Sequence, residues 1–238
     1  MNRLQRQFVR LFRAPDVAAD NIDLINSDGQ VTTLVIVVAR SRDWPTVAGV
    51  ISSLQENLGL PLPAVAVDGK AGFQLWLPLA EPIAPQFAVR FLSALRRQYL
   101  GDIADTDLAL LPLAGGPSSV RCIPALSAES GRWSAFIDPT MGSMFGEESG
   151  LDFEPNPDRQ ADQLASISPI EPANFASALA ILTASQSTPP ASAESASIST
   201  IGRFSEPSEF LHAVMNEPSV PLALRIEAAK ALLSHGRS

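Results

Sequence analysis

Thiols and imidazoles are scarce: Cys122 is the sole cysteine, and His212 and His235 are the only histidines in 238 residues. One thiol excludes an internal disulfide. Three such side chains in all make a structural zinc site implausible, because zinc takes four Cys or His ligands. The two histidines both lie in the last thirty residues, so no Ser/His/Asp or Cys/His constellation can be assembled with the body of the chain. Neither a P-loop nor a dinucleotide glycine fingerprint occurs. Long apolar runs are missing too. No stretch reaches the roughly 18 apolar residues of a membrane span, and the N-terminal MNRLQRQFVRLFR has no apolar signal core. A reducing cytoplasm is the expected compartment, with no membrane among the partners and no cofactor.

Positive charge is in deficit. Seventeen Lys+Arg face 25 Asp+Glu, a net charge of -8, and the pI is about 4.8. Broad wrapping of nucleic acid is therefore disfavoured, since it rests on neutralising phosphates, and only a local basic patch leaves room for such contact. Hydrophobic residues make up 46% of the chain, enough for one good core, while 20 prolines imply interrupted elements.

The local patch is at the start. Arg3, Arg6, Arg10 and Arg13 recur at spacings of three, four and three over residues 3–13, which places four guanidinium groups along one face of a helix. Leu4, Phe8 and Leu11 line another face. Contact with phosphate or an acidic partner is one reading; the other is an amphipathic helix docked on the core with solvated arginines. A turn at Asn26-Ser27-Asp28-Gly29 leads into a β-rich run over 31–39, which predicts a central strand covered on both faces. Arg40, Arg42 and Asp43 follow at its end and are candidates to line a site. Residues 44–58 predict a helix with Pro45 in its first turn and Val47, Val50, Ile51, Leu54 and Leu58 along one stripe.

Residues 64–82, AVAVDGKAGFQLWLPLAEP, are the stretch around which the rest is organised. Two β-rich arms flank a turn containing Gly69 and Gly72, so the segment predicts a hairpin. Alternation sends Phe73, Leu75 and Leu77 to one face and Gln74, Trp76 and Pro78 to the other, and Gln74 and Lys70 are expected beside the turn. A second amphipathic helix is expected over 85–99, then short strands over 108–113 and 120–126. Aromatic and methionine residues between 130 and 155 are read as a core extension, with helices over 158–164 and 172–184.

Residues 72–82 resemble the second motif of the archaeo-eukaryotic primase superfamily, including replication-type primases of plasmids and phages, in which Ser-x-His or Gly-x-His leads into hLW and then EP before a helix. The likeness extends over residues 33–126. It implies a split βαβ palm with paired acids on an earlier strand that hold two divalent metals for phosphoryl transfer. The corresponding strand here, over 33–39, carries no carboxylate, and Gln74 stands where the family has histidine. An amide forms hydrogen bonds but does not titrate. The resemblance therefore implies an α+β fold, a two-layer α/β sandwich like an RNA-recognition motif or primase palm, whose metal site is absent.

Three functions follow. The first is a catalytically inactive, primase-like accessory or regulatory protein of a plasmid or phage, with replication or transfer proteins of that element as partners and Arg3, Arg6, Arg10, Arg13, Arg40, Arg42, Lys70 and Gln74 as the nucleic-acid or partner-binding set. The second is an inhibitor of conjugation or replication that acts through protein contacts alone. The third is a working nucleotidyl transferase or primase whose acids, such as Asp43, Asp68 and Asp107, come from other elements. Residues 1–183 form the domain. Residues 184–203, rich in Ser, Ala and Pro, are expected to be a linker, because ordering costs about 1–2 kcal/mol per residue and little apolar area is there to offset it. Residues 204–238 predict a paired-helix tail that resembles short helical modules of phage and plasmid proteins, small terminase-like ones among them.

Overall fold

A computed structural model describes residues 1–14, 21–113 and 115–187, together with Arg225, Ala229, Lys230 and Leu232, which are helical. Two compact units divide at 185/186. Residues 184–187, expected to begin the linker, continue a helix instead; the rest of the expected linker and most of the expected tail lie outside the described residues.

The first unit is built on a sheet in which strand β2 (Val31–Val38) is an interior member, paired on both sides. Helix α2 (Trp44–Glu56) follows it, then the hairpin of β3 (Ala64–Val67) and β4 (Phe73–Ile83), helix α3 (Pro85–Tyr99) and strand β5 (Leu108–Leu111). A further short strand, β7 (Ala135–Ile137), completes an antiparallel sheet of order β5-β2-β4-β3-β7. Its first four members realise the split βαβ arrangement: each helix returns the chain across one face so that β4 pairs beside β2. The α+β sandwich expected from the sequence is what forms.

Alternation along the strands sorts the core into two. Leu34, Ile36 and Val38 of β2 and Phe73, Leu75, Leu77 and Leu79 of β4 pack under α2, α3 and α5 (Pro172–Ser187). Val35, Ala64, Ala66, Trp76 and Phe136 face the opposite way. Helices α1 (Arg3–Phe12) and α4 (Pro157–Ala165) cover that second face with Leu4, Phe8, Leu11, Phe12, Ala161 and Leu164. To the two layers expected, the sheet and its α2/α3 cover, the chain thus adds a third made from its N-terminal helix and a late one.

Two expectations shift in detail. The strand expected over 120–126 shortens to β6 (Ser119–Arg121) and pairs with β1 (Asn21–Asp23) outside the main sheet, since prolines at 117 and 124 cannot donate to a ladder. The stretch 130–155 does extend the core through Phe136 and Leu151, yet Met141, Met144 and Phe153 stay exposed.

Candidate functional site

The hairpin turn is held by its own side chains. Asp68 Oδ1 accepts from the amides of Lys70 and Gly72 at 2.7 and 3.0 Å. Gly72 is there for space: a Cβ would sit 1.9 Å from the Val38 carbonyl, which no side chain tolerates. Ser149 donates its hydroxyl to the Gly72 carbonyl, and Ser130 donates to the Gly69 carbonyl, so later loops clamp the turn.

Gln74 enters β4 two residues after Gly72 of the turn, but its side chain is buried in the sheet. It lies on the α1/α4 face, 8% exposed, where its Oε1 accepts from the Trp76 indole N–H at 3.0 Å. Trp76 is fully buried among aromatics, its ring centroid 4.9 Å from that of Phe12 and 5.9 Å from that of Phe136. Phe8 and Phe12 meet edge to face at 5.4 Å and complete the cluster. Each such pair is worth about 0.5–1.5 kcal/mol beyond its buried area. The sheet face that would otherwise offer an open platform is therefore filled from within the same chain.

The arginines of α1 serve that closure. Arg10 donates to the Leu164 and Ile167 carbonyls at 2.7 and 3.0 Å, at the exit of α4, where a cation also meets the negative end of the helix dipole. Partial burial lowers the Arg10 pKa from its ordinary value. Arg3 pairs with Asp162 at 2.6 Å and Asp158 at 3.7 Å, and Arg13 donates to the Ala80 carbonyl at 2.7 Å. Arg13 ends the helix in the left-handed region, φ 54°. Only Arg6 of the four leaves its guanidinium in solvent with no bond to a described residue. The docked reading of this helix describes it better than the phosphate-seeking one, and its arginines are bonded rather than simply solvated.

At the end of β2 the other candidates gather. Arg40 reaches Asp107 at 2.7 Å and Asp43 at 3.3 Å, so a guanidinium occupies the space between these two carboxylates. Asp68, the third acid, is spent on its turn. Among the described residues no group of three or more His, Cys, Asp or Glu converges in a way that would hold a metal ion. Lys70 pairs with Glu129 at 2.8 Å, and the bond to Lys70, then its charge, holds the Glu129 carboxyl below its usual range. Arg132, on a neighbouring loop, bridges Glu148 and Asp152. Arg42 is exposed. The structure thus brings Arg40 to Asp43 and Asp107 and gives Lys70 a partner of its own, Glu129, while Arg3, Arg10, Arg13 and Gln74 are bonded to other groups.

One residue escaped the sequence reading. Gln160 of α4 is 5% exposed, and its amide pairs with the backbone of Phe136, accepting from its N–H at 2.7 Å and donating to its carbonyl at 3.0 Å. It occupies the open edge of β7 as a further strand would, which blunts that edge against pairing with another chain. Only its place on the buried stripe of a short amphipathic helix, beside Ala161 and Leu164, could have marked it. No family model matches the chain, and no curated protein matches it.

Proposed function

We propose that this chain is a catalytically silent, primase-like accessory or regulatory protein of a plasmid or phage element, and that it works through protein contacts with the replication or transfer machinery. The observation that carries this reading is the sealed sheet: α1 and α4 bury Trp76 and Phe136, and the residue aligned with the family's histidine is committed to an indole N–H. A polymerising palm needs cations held near its sheet, and β2 offers no carboxylate to hold them. The acids closest to that role, Asp43 and Asp107, carry Arg40 between them. Among the candidate cations, Arg3, Arg40 and Lys70 already face carboxylates of the same chain, so a phosphate would have to displace an internal partner. That favours a protein partner over nucleic acid.

The test is template-directed ribonucleotide incorporation by the full chain with Mg²⁺ or Mn²⁺, beside binding to single- and double-stranded DNA at low salt. No synthesis and no salt-sensitive binding are expected. Synthesis abolished by Asp43→Asn or Asp107→Asn overturns the silent reading. DNA binding lost with Arg6→Ala and Arg42→Ala, the exposed candidate cations without a bond to another described residue, overturns the preference for protein.

A further inference from the structure

We propose that residues 138–154, which carry the exposed Met141, Met144 and Phe153 and the acids Asp138, Glu147 and Glu154, form a docking surface for a basic amphipathic helix of a partner protein. This deepens the protein-contact reading and rests on it. The three apolar side chains are 44%, 74% and 83% exposed. The other large apolar residues exposed among the described residues, such as Val9, Phe87, Leu113 and Ile181, are scattered over separate elements, and scattered ones are ordinary. Here three fall within thirteen residues.

Their frame is fixed. Met141 and Met144 lie in a 3₁₀ helix, Pro139–Phe145, where a spacing of three returns a side chain to the same side. Between them Gly142 is pressed on the Trp44 indole, so closely that a Cβ would lie 2.0 Å from the ring. Trp44 in turn packs on Phe73 of the central hairpin with centroids 4.7 Å apart. The loop carrying Phe153 is tied down by reciprocal backbone bonds between Trp133 and Leu151, 2.8 and 2.9 Å, and Arg132 brings Glu148 and Asp152 to one guanidinium. Exposure of these residues is a property of an anchored segment.

Charge names the occupant. Residues 138–154 contain Asp138, Glu147, Glu148, Asp152 and Glu154 and no Lys or Arg, and Arg132 offsets only part of that. Unbranched methionines adapt to varied apolar partners. Carboxylates on the same segment suit a helix with Leu or Phe on one side and Lys or Arg flanking it.

The probe is a labelled amphipathic Lys/Leu peptide of about 18 residues, long enough for about five turns, titrated with the full-length protein and followed by fluorescence anisotropy. A scrambled peptide of the same composition controls for plain attraction to an acidic protein. The amphipathic peptide should bind at least about tenfold more tightly than the scrambled one, a preference that Met144→Ser with Phe153→Ser removes. Glu147→Gln with Glu154→Gln should weaken binding several-fold and flatten its salt dependence, while Glu56→Gln with Asp102→Asn, the same charge change elsewhere, should not. Equal binding of both peptides, or insensitivity to the Met144/Phe153 pair, overturns the proposal. So does a dimer in sedimentation that the Met144/Phe153 pair dissolves, because the surface would then face a second copy. If the peptide fails while the chain stays inert toward nucleotides and DNA, this surface falls and the protein-contact reading stands; nucleotide incorporation defeats that reading whatever the peptide does.

Discussion

Gln74→Leu separates a structural amide from a functional one. The replacement has similar volume and suits a strand, but it leaves the Trp76 N–H, now bonded at 3.0 Å, buried without an acceptor. A buried donor stripped of its partner costs about 1–3 kcal/mol, and the apolar gain of leucine at a site already 8% exposed offsets part of that. A net loss of about 1–2 kcal/mol is expected. Trp76→Phe removes the donor itself and leaves a gap beside Phe12 and Phe136, at about 1–3 kcal/mol. Once the donor is gone, Gln74→Leu should be nearly neutral, so the double variant should be more stable than the two single losses imply by about 1 kcal/mol or more. Urea unfolding of the four proteins, with unchanged slopes, measures this. Equal cost of Gln74→Leu in both backgrounds, within about 0.5 kcal/mol, refutes the assignment and returns Gln74 to the list of free site residues.

Two further predictions use the same frame. Arg10→Met should destabilise by about 1–2 kcal/mol, because the Leu164 and Ile167 carbonyls lose a charged donor at a helix exit, whereas Arg6→Met on the exposed side should change stability by less than about 0.5 kcal/mol; thermal unfolding distinguishes them, and equal effects would argue against docking of α1 through Arg10. The Asp138 carboxyl accepts from the Thr140 hydroxyl and amide at 2.7 and 2.8 Å, and these bonds, the hydroxyl first, hold its pKa below the usual value. Folding therefore favours the ionised form: the contribution is present above the unfolded value of about 3.9 and is lost as pH falls through the lower folded one. Thr140→Val should move the carboxyl midpoint, read by NMR titration, upward toward that of a free aspartate.

The parts of the fold legible in the sequence were those set by short-range periodicity. Alternation in β4 correctly separated Phe73, Leu75 and Leu77 from Gln74 and Trp76, because the rule is a property of any pleated strand. The helices at 44–58 and 85–99 were legible from their stripes, and the order of elements sufficed for the split βαβ unit. What was not legible depends on chain distant in sequence. Arg10 reads as a free cation until α4, more than 150 residues later, presents its last carbonyls to it. Arg40 reads as a site residue until Asp107 arrives from the far side of α3. Gln160 carries no local signal beyond its place on the buried stripe of α4, since its partner is the backbone of Phe136, and backbone leaves no trace in residue type.

The sealing of the sheet also constrains where a partner can bind. To use the α1/α4 face, a ligand would have to displace Phe8 and Phe12, both within 1% of full burial, together with the bonds of Arg3, Arg10 and Arg13. Burying a phenylalanine is worth about 1.5–3 kcal/mol, so removing the two aromatics alone would consume several kcal/mol of any binding energy. The α2/α3/α5 face is equally committed, through Phe91, Leu95 and Phe175. Both faces are thus spent and the β7 edge is closed by Gln160, which leaves, among the described residues, the β5 edge and the loops at the sheet's ends. Among the described loops, residues 138–154 alone combine anchorage on Trp44, exposed methionines and a single sign of charge.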